Sequence, residues 1–419
     1  MLTRKTFCDN RQLSTAVLGC IAAAWYAKID PAVVPMTRVY FDYAATTPTD
    51  PQVLHAMKPF LTDVFGNPSS IHYMGRKAKS AVDRARAAIA ATIGARPEEI
   101  CFTGSGTESD NLAVKGAAGA GKKRGNHIIT SAIEHHAVLE SCAYLEQGGF
   151  RISRIAVDGQ GLVDPAAVRK AICAETILIS IMHANNEIGV IEPIEEIGAM
   201  AGAEGICFHS DAVQTFGHIP IRVDDLGVDL LSLSAHKLCG PKGIGALYVR
   251  AGTKLEALVH GGGQERGLRA STENVPAIVG FGEAAEIAHR LMQVEAADLR
   301  SLQTRLIDGL LQRIPHVRLN GHRQKRLPGH VNVSIMGVSA EAVLLNLNLE
   351  GIAASSGSAC ATGSLTPSHV ILALGLPAKL ADGSLRFTMG RNTTTAHVDA
   401  LLEGLPRMVR RLRAISPTV

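Results

Sequence analysis

Between residues 99 and 250 the chain repeats one unit: a short run rich in Val, Ile and Leu, a turn of small or polar residues, then a stretch that reads as helix. The runs are Glu99–Thr103, His127–Thr130, Arg151–Val157, Ile177–Met182, Ile206–Ser210, Val228–Leu233 and Gly245–Val249. Most are near-continuous rather than alternating, the pattern of strands covered on both faces. Strands alternating with helices fit parallel pairing through crossovers. The expectation is an α/β fold, a three-layer domain around a mostly parallel sheet. Ligands of such sheets sit beyond the carboxyl ends of the strands. The polar groups of this stretch fall there: Gly106-Thr107, Glu134-His135, Asn185-Asn186, Asp211 with Gln214, and Lys237.

The flanking segments read differently. Val82, Ala85, Ile89 and Ile93 recur at helical spacing, with Arg84 and Arg86 expected outward. After Pro276 a long helix carries a stripe of Leu299, Leu302, Leu306 and Leu310. Short strands at Val317–Leu319, His330–Ile335 and Leu385–Met389 then mix with helices at Ala340–Leu349, Pro367–Leu374 and Ala396–Leu412. The expected division is a large domain, residues 49–275, and a smaller α+β domain, residues 36–48 plus 276–419. With 46% apolar residues, 419 in all, the chain can bury cores for both. Residues 1–35 stand apart as a non-essential extension, because the folded pattern begins after Met36 and the apolar run Ala16–Ala27 is shorter than the about 20 residues a membrane span needs. A net charge of +4 without a single-sign run argues against nucleic acid. Eight cysteines without a C-x-x-C pair argue for a reducing, cytoplasmic setting.

Several segments carry chemistry. Ser232–Gly243, S-L-S-A-H-K-L-C-G-P-K-G, places Lys237 at the end of a buried strand beside Ser234 and His236. Such a lysine can be desolvated and held against a carbonyl, which suits a Schiff base; a surface loop is the ordinary alternative. Gly104–Glu108, G-S-G-T-E, turns backbone N–H groups toward an anion at a helix start, or simply caps that helix. Asp211 could hold a ring N–H in its charged form, or act as a capping residue. His135 and His136 are adjacent and no H-E-x-x-H occurs, so a flat imidazole stacked on a ring fits better than a metal site; a core histidine is the plain reading. Cys360 lies in A-A-S-S-G-S-A-C-A-T-G-S, a run of small side chains suited to a mobile loop, where it is a candidate nucleophile or a small packing residue. Thr366-Pro367 reads as the N-cap and first turn of the next helix. Arg386 could clamp a carboxylate through two nitrogens, or sit on the surface.

The motifs F-D-Y-A-A-T-T-P, F-G-N-P-S-S, F-T-G-S-G-T-E-S-D-N, E-H-H-A-V-L-E, M-H-A-N-N-E-I-G, H-S-D-A-V-Q, S-A-H-K-L-C-G-P-K-G, G-G-G-Q-E-R-G-L-R-A-S-T-E-N, S-S-G-S-A-C and R-F-T-M-G-R follow in order. With them the chain resembles the cysteine desulfurases, pyridoxal phosphate (PLP) enzymes of aminotransferase-like fold type I, from about Val39 to Pro417. The S-S-G-S-A-C form is similar to the group serving iron–sulfur cluster assembly and nitrogenase maturation. The resemblance implies Lys237 as the Schiff-base lysine, Cys360 as sulfur acceptor, His135 on the ring and Asp211 at its nitrogen. Gln214 and Asn186 would contact the ring, and Asn186 with Arg386 would hold the substrate carboxylate, with Asn67 lining the same pocket. Gly106, Thr107, Ser234 and His236 would bind the phosphate, joined by Thr272 from the second subunit of a homodimer.

The implied reaction converts L-cysteine to L-alanine and leaves the sulfur as a persulfide on Cys360, for delivery to an iron–sulfur scaffold or another sulfur-acceptor protein. No metal is expected at the PLP site; Cys360 would serve as a cluster ligand once a scaffold docks. Housekeeping members often continue past Ile415-Ser416-Pro417 with a scaffold-docking tail, a departure that leaves both an iron–sulfur scaffold and a more specialised partner open. Alternative readings are a selenocysteine lyase or another fold-type-I enzyme such as an aminotransferase, which has no need of Cys360. A non-catalytic sulfur carrier would have no use for Lys237, Asp211, His135 and Cys360 together. Neither nucleic acid nor membrane is an expected partner.

Overall fold

A computed structural model describes residues 38–356 and 368–415, so the expectations for residues 1–35, for Cys360 and for Thr366-Pro367 as a helix start lie outside the described residues. From Val39 onward the described residues form one compact unit. Its strands are β1 (Val39–Tyr40), β2 (Ile100–Thr103), β3 (His127–Ser131), β4 (Arg151–Ile155), β5 (Thr176–Ser180), β6 (Cys207–Asp211), β7 (Leu230–Ser234), β8 (Gly245–Val249), β9 (Val317–Leu319), β10 (His330–Ile335), β11 (Ile352–Ala353) and β12 (Ser384–Thr388).

The main sheet has seven strands in the order β2-β8-β7-β6-β5-β3-β4. The pairs from β7 through β4 are parallel. Only β8 runs antiparallel to its neighbours, because the turn Ala235–Ile244 holds no crossover helix to carry the chain back across the sheet. That return brings Gly245 against the turn at Ser105, where a Cβ would lie 2.5 Å from the Ser105 carbonyl carbon; only glycine fits.

Successive strand residues point to opposite faces. Ile128 and Leu178 pack with Leu112, Val114 and Val138 of the helices Gly106–Gly121 and His136–Gln147, whereas Ile129 and Ile179 join Ile89, Ile93 and Phe281 of the helices Tyr73–Ile93 and Val275–Arg313. Helices therefore cover both faces, as the near-continuous apolar runs require.

One expectation is overturned. Arg86 is 7% exposed rather than outward, and its guanidinium donates to both Glu265 carboxylate oxygens at 2.7 Å and to the Ile100 carbonyl at 2.6 Å. Position 86 shares the stripe of Val82 and Ile89, one helical turn away on either side. The buried charge is tolerated because Glu265 and a carbonyl meet it.

A second sheet, β12-β10-β9, is antiparallel, and β1 pairs with β11 beside it. Phe41, Leu306, Leu310, Val333, Phe387, Leu401 and Leu405 form its core. The helix Val275–Arg313 serves both cores: Ile278, Phe281 and Ala284 belong to the first, Leu299, Leu306 and Leu310 to the second. The helix expected at Pro367–Leu374 runs from His369 to Ala373, with Ser368 as its N-cap through a 3.1 Å bond from Val370 N. Among the described residues no helix is long and apolar enough to cross a membrane.

Candidate active site

The carboxyl ends of β6 and β7, the starts of two helices and the turn after β1 enclose a cavity of about 280 Å³. Gly106, Thr107, His135, Asn186, Asp211, Gln214, Ser234, His236, Lys237 and Arg386 all line it. Asn67 and Thr272 do not; they line a separate hollow together with Phe65 and Pro276.

Each lining group is placed by the local fold. β7 ends at Ser234 and tightens into the short helix Ala235–Lys237, which turns Lys237 back over the strand ends. Its Nζ donates to the carbonyls of Ala44 at 2.6 Å and Ala45 at 2.9 Å, tying it to the small-residue turn after β1. Gln214 Nε2 donates to the same Ala44 carbonyl at 3.0 Å. His236 Nδ1 lies 3.1 Å from Thr46 Oγ1. The sequence A-A-T-T therefore acts as a socket for three site side chains.

Asp211, the last residue of β6, is 6% exposed and accepts from Val213 N at 2.9 Å. Burial pushes its carboxyl up to about 6, against the pull of that N–H and the Lys237 charge. His135 caps the helix His136–Gln147, its Nδ1 accepting from Ala137 N at 3.1 Å. Burial first, then the Lys237 charge, lowers its imidazole to about 4, so the ring is neutral with its proton on Nε2. Arg386 is no surface arginine. It is 2% exposed on β12, donates to the Asn186 carbonyl and to Asp42 Oδ1 at 2.8 Å each, and leaves Nε without a partner among the described residues.

These groups fit PLP. The buried Ser234 hydroxyl has no partner among the described residues. It faces the N-terminus of the helix Gly106–Gly121, where a Cβ on Gly106 would meet Val213 Cγ2 at 2.7 Å and Ser234 Cβ at 3.3 Å. That close backbone approach, with Thr107 and His236 beside it, could hold a phosphate. Asp211 could hold a ring nitrogen, and His135 offers a flat neutral face. Among the described residues no group of three His, Cys, Asp or Glu side chains could hold a metal ion.

Comparison with known proteins decides the family. The Aminotransferase class-V family matches residues 39–401. A cysteine desulfurase IscS of Dictyoglomus turgidum is 54% identical over 90% of this chain and 96% of its own length. One from Methanosarcina thermophila is 52% identical over 90% of this chain and 94% of its own. The chain belongs to the cysteine desulfurases. Solved structures agree: a NifS-like protein superposes with TM-score 0.84 at 37% identity, covering 90% of this desulfurase and 100% of that chain. The structure titled "SspA in complex with cysteine" gives 0.76 at 40% identity over 85% and 100%. As a member of this PLP-dependent family the desulfurase uses PLP as its cofactor.

The cavity also contains residues that sequence reading did not single out: Asp110, Met182, Glu187, Val213 and His369. Glu187 is 3% exposed, held above the usual carboxylate range by burial, and accepts from Ser368 Oγ at 2.5 Å. His369 lies with Nε2 3.0 Å from the Glu134 carbonyl oxygen and its ring 4.8 Å from that of His136. Glu187 follows Asn186 directly and could have been found by adjacency. His369 could not, because its partners lie far back along the chain.

Proposed function

We propose that this desulfurase takes sulfur from L-cysteine onto Cys360 and passes it to a sulfur-acceptor protein of iron–sulfur cluster assembly or a related pathway. The observation that supports this most is the convergence of Lys237, Asp211, His135 and Arg386 on one cavity at the carboxyl edge of the sheet. Lys237 would anchor PLP through its amine, Asp211 would hold the ring nitrogen, and Gly106, Thr107, Ser234 and His236 would hold the phosphate. PLP, when bound, supplies an electron sink that makes the substrate Cα proton acidic.

The remaining work falls to the chain. Arg386, fixed by Asp42 and the Asn186 carbonyl, orients the substrate carboxylate, with Asn186 beside it. His135, neutral because it is buried, stacks on the ring and can hold a proton on Nε2. The Lys237 amine can carry a proton between substrate atoms. The Cys360 thiolate bonds to the substrate sulfur as the substrate's Cβ–S bond breaks, giving L-alanine and a Cys360 persulfide.

A homodimer belongs to the same proposal. Thr272 and Asn67 share an outer hollow away from their own cavity, and Phe65 beside them is 73% exposed, which supports donation of Thr272 to a second subunit. The two cores joined by the helix Val275–Arg313 support the division into a large and a small domain.

The test is turnover of L-cysteine with mass mapping of the persulfide. The wild type should form alanine and carry an added sulfur on Cys360. Cys360→Ala should keep bound PLP and lose sulfide release; undiminished release would overturn the reading.

A further inference from the structure

The wall of the site holds an acid that the reaction above does not use. Asp110, on the helix Gly106–Gly121, is 1% exposed, lines the same cavity as Asp211, and has an Oδ1 with no hydrogen-bond partner among the described residues. Its nearest nitrogen base is His209 Nε2, 3.7 Å away. That imidazole lies with Nε2 2.9 Å from Ser232 Oγ and Nδ1 2.8 Å from Ser180 Oγ. Burial pushes it down to about 3, so it supplies no positive charge. The other charged groups acting on Asp110 are Asp211 at the end of β6 and Glu134 in the turn after β3, both acids. The cation facing this group, Lys237, acts on Asp211.

Two carboxyl groups in one dry wall do not both ionise, since the second charge finds neither solvent nor counter-ion. Asp211 has what an anion needs, a backbone N–H at 2.9 Å and the Lys237 charge; Asp110 has neither. We propose that Asp110 is a positioning residue for the cofactor: a neutral carboxylic acid that leaves Asp211 as the single anion facing the ring nitrogen. The inference deepens the function proposed above and rests on its assignment of Asp211. Burial and the Asp211 charge both hold the Asp110 carboxyl well above the usual carboxylate range, opposed only in part by the Ser232 hydroxyl.

One consequence separates this role from simple packing. A protonated pyridine brought against Asp211 lowers the pKa of Asp110 and a phosphate at the helix start raises it, so over the pH range between its two values PLP binding changes the protonation of Asp110. Asparagine at position 110 keeps the shape and the neutrality but has no carboxyl proton to exchange.

The experiment is titration of PLP into the apo-enzyme by calorimetry, in buffers of different ionisation heat, from about pH 5 to 10. Wild type should show an alkaline proton-linkage step that Asp110→Asn lacks, with PLP affinity at neutral pH within about threefold of wild type. Asp211→Asn should weaken PLP binding at every pH. Superimposable proton counts for Asp110→Asn and wild type, with Asp211→Asn weakened, would overturn the Asp110 role alone. Unchanged affinity in Asp211→Asn would overturn the cofactor reading beneath it. Should Asp110→Asn fold poorly, the wild-type infrared spectrum with labelled aspartate decides: a protonated-carboxyl stretch at neutral pH supports the role, and its absence removes it.

Discussion

The two edges of the seven-stranded sheet are made by the same strands and treat polar groups in opposite ways. At the amino edge His127 begins β3, and both its ring nitrogens are engaged, by Thr176 and Ser153 at 2.8 Å each. At the carboxyl edge His135 uses one ring nitrogen, for Ala137 N, and lines the cavity. The same contrast holds for carboxylates. Glu99, before β2, accepts from Arg96 N at 2.9 Å and Ala251 N at 3.0 Å, whereas Asp110, Glu134 and Glu192 each bury an oxygen with no partner among the described residues. An unpaired buried polar atom costs about 1–3 kcal/mol. The contrast teaches that one edge satisfies its polar groups within the fold while the other leaves buried acids unpaired around the cavity end of the strands.

The largest expected effect breaks this asymmetry at its centre. Lys237→Ala should lower alanine formation from L-cysteine at least about 10⁴-fold, as removal of a group acting on the reacting atoms does. His127→Gln, at the other end of the sheet, should lose about 1 kcal/mol of stability through its hydroxyl contacts and keep turnover within about twofold. Steady-state alanine production and denaturant unfolding of both variants make the comparison. A His127 variant that loses activity while folded would remove the distinction between the edges.

Two arginine pairs sharpen it next. Arg386 and Asp42 meet at 2.8 Å with side chains 2% and 19% exposed; Arg154 and Glu146 meet at 2.6 Å with both 39% exposed. Breaking the buried pair strands a charge away from water, so Arg386→Gln should cost about 3 kcal/mol of stability and raise KM for L-cysteine at least about tenfold. Arg154→Gln should cost less than about 1 kcal/mol, because solvent screens that pair, and should leave KM unchanged. Equal losses in urea unfolding would mean that depth in the site does not govern these arginines.

How far the molecule was legible follows the same division. The apolar runs located nearly every strand of the main sheet, because strands covered on both faces must be continuously apolar whatever lies at their ends. The site residues at strand ends were legible for a related reason: Asp211, Ser234 and Lys237 interrupt or follow such runs within a few positions. What was not legible depends on contacts across the chain. Arg86 lies on the apolar stripe of its helix, but its partner Glu265 is 179 residues away, so its charge suggested an outward position. His369 reaches the cavity through the Glu134 carbonyl, 235 residues back. Asp110 sits among the first residues of a helix whose start was recognised, yet nothing local distinguishes a buried acid there from a solvated one.

The smallest effect tests the two edges through pH. Burial raises the Glu192 carboxyl to about 8 from 4.5, with only Val163 N, at 2.8 Å, holding one oxygen. In the folded protein Glu192 therefore keeps its proton after the unfolded chain has lost it. Its contribution is complete below about 4.5 and is lost as pH rises through about 8. Glu99 behaves oppositely. Burial raises its carboxyl, but the Arg96 side chain together with the N–H groups of Arg96 and Ala251 outweighs burial and leaves it below the usual range. Its contribution is present above its unfolded value and is lost as pH falls through the lower folded one. Glu192→Gln, which cannot ionise, should gain on wild type by an amount on the order of 2 kcal/mol between pH 5 and pH 9. Glu99→Gln should be weaker than wild type throughout that interval and approach it only in acid. Urea midpoints at three pH values are enough to read both slopes. Slopes of the same sign would mean that the carboxyl edge is as fully paired as the amino edge, and the contrast drawn from the unpartnered atoms would fall with it.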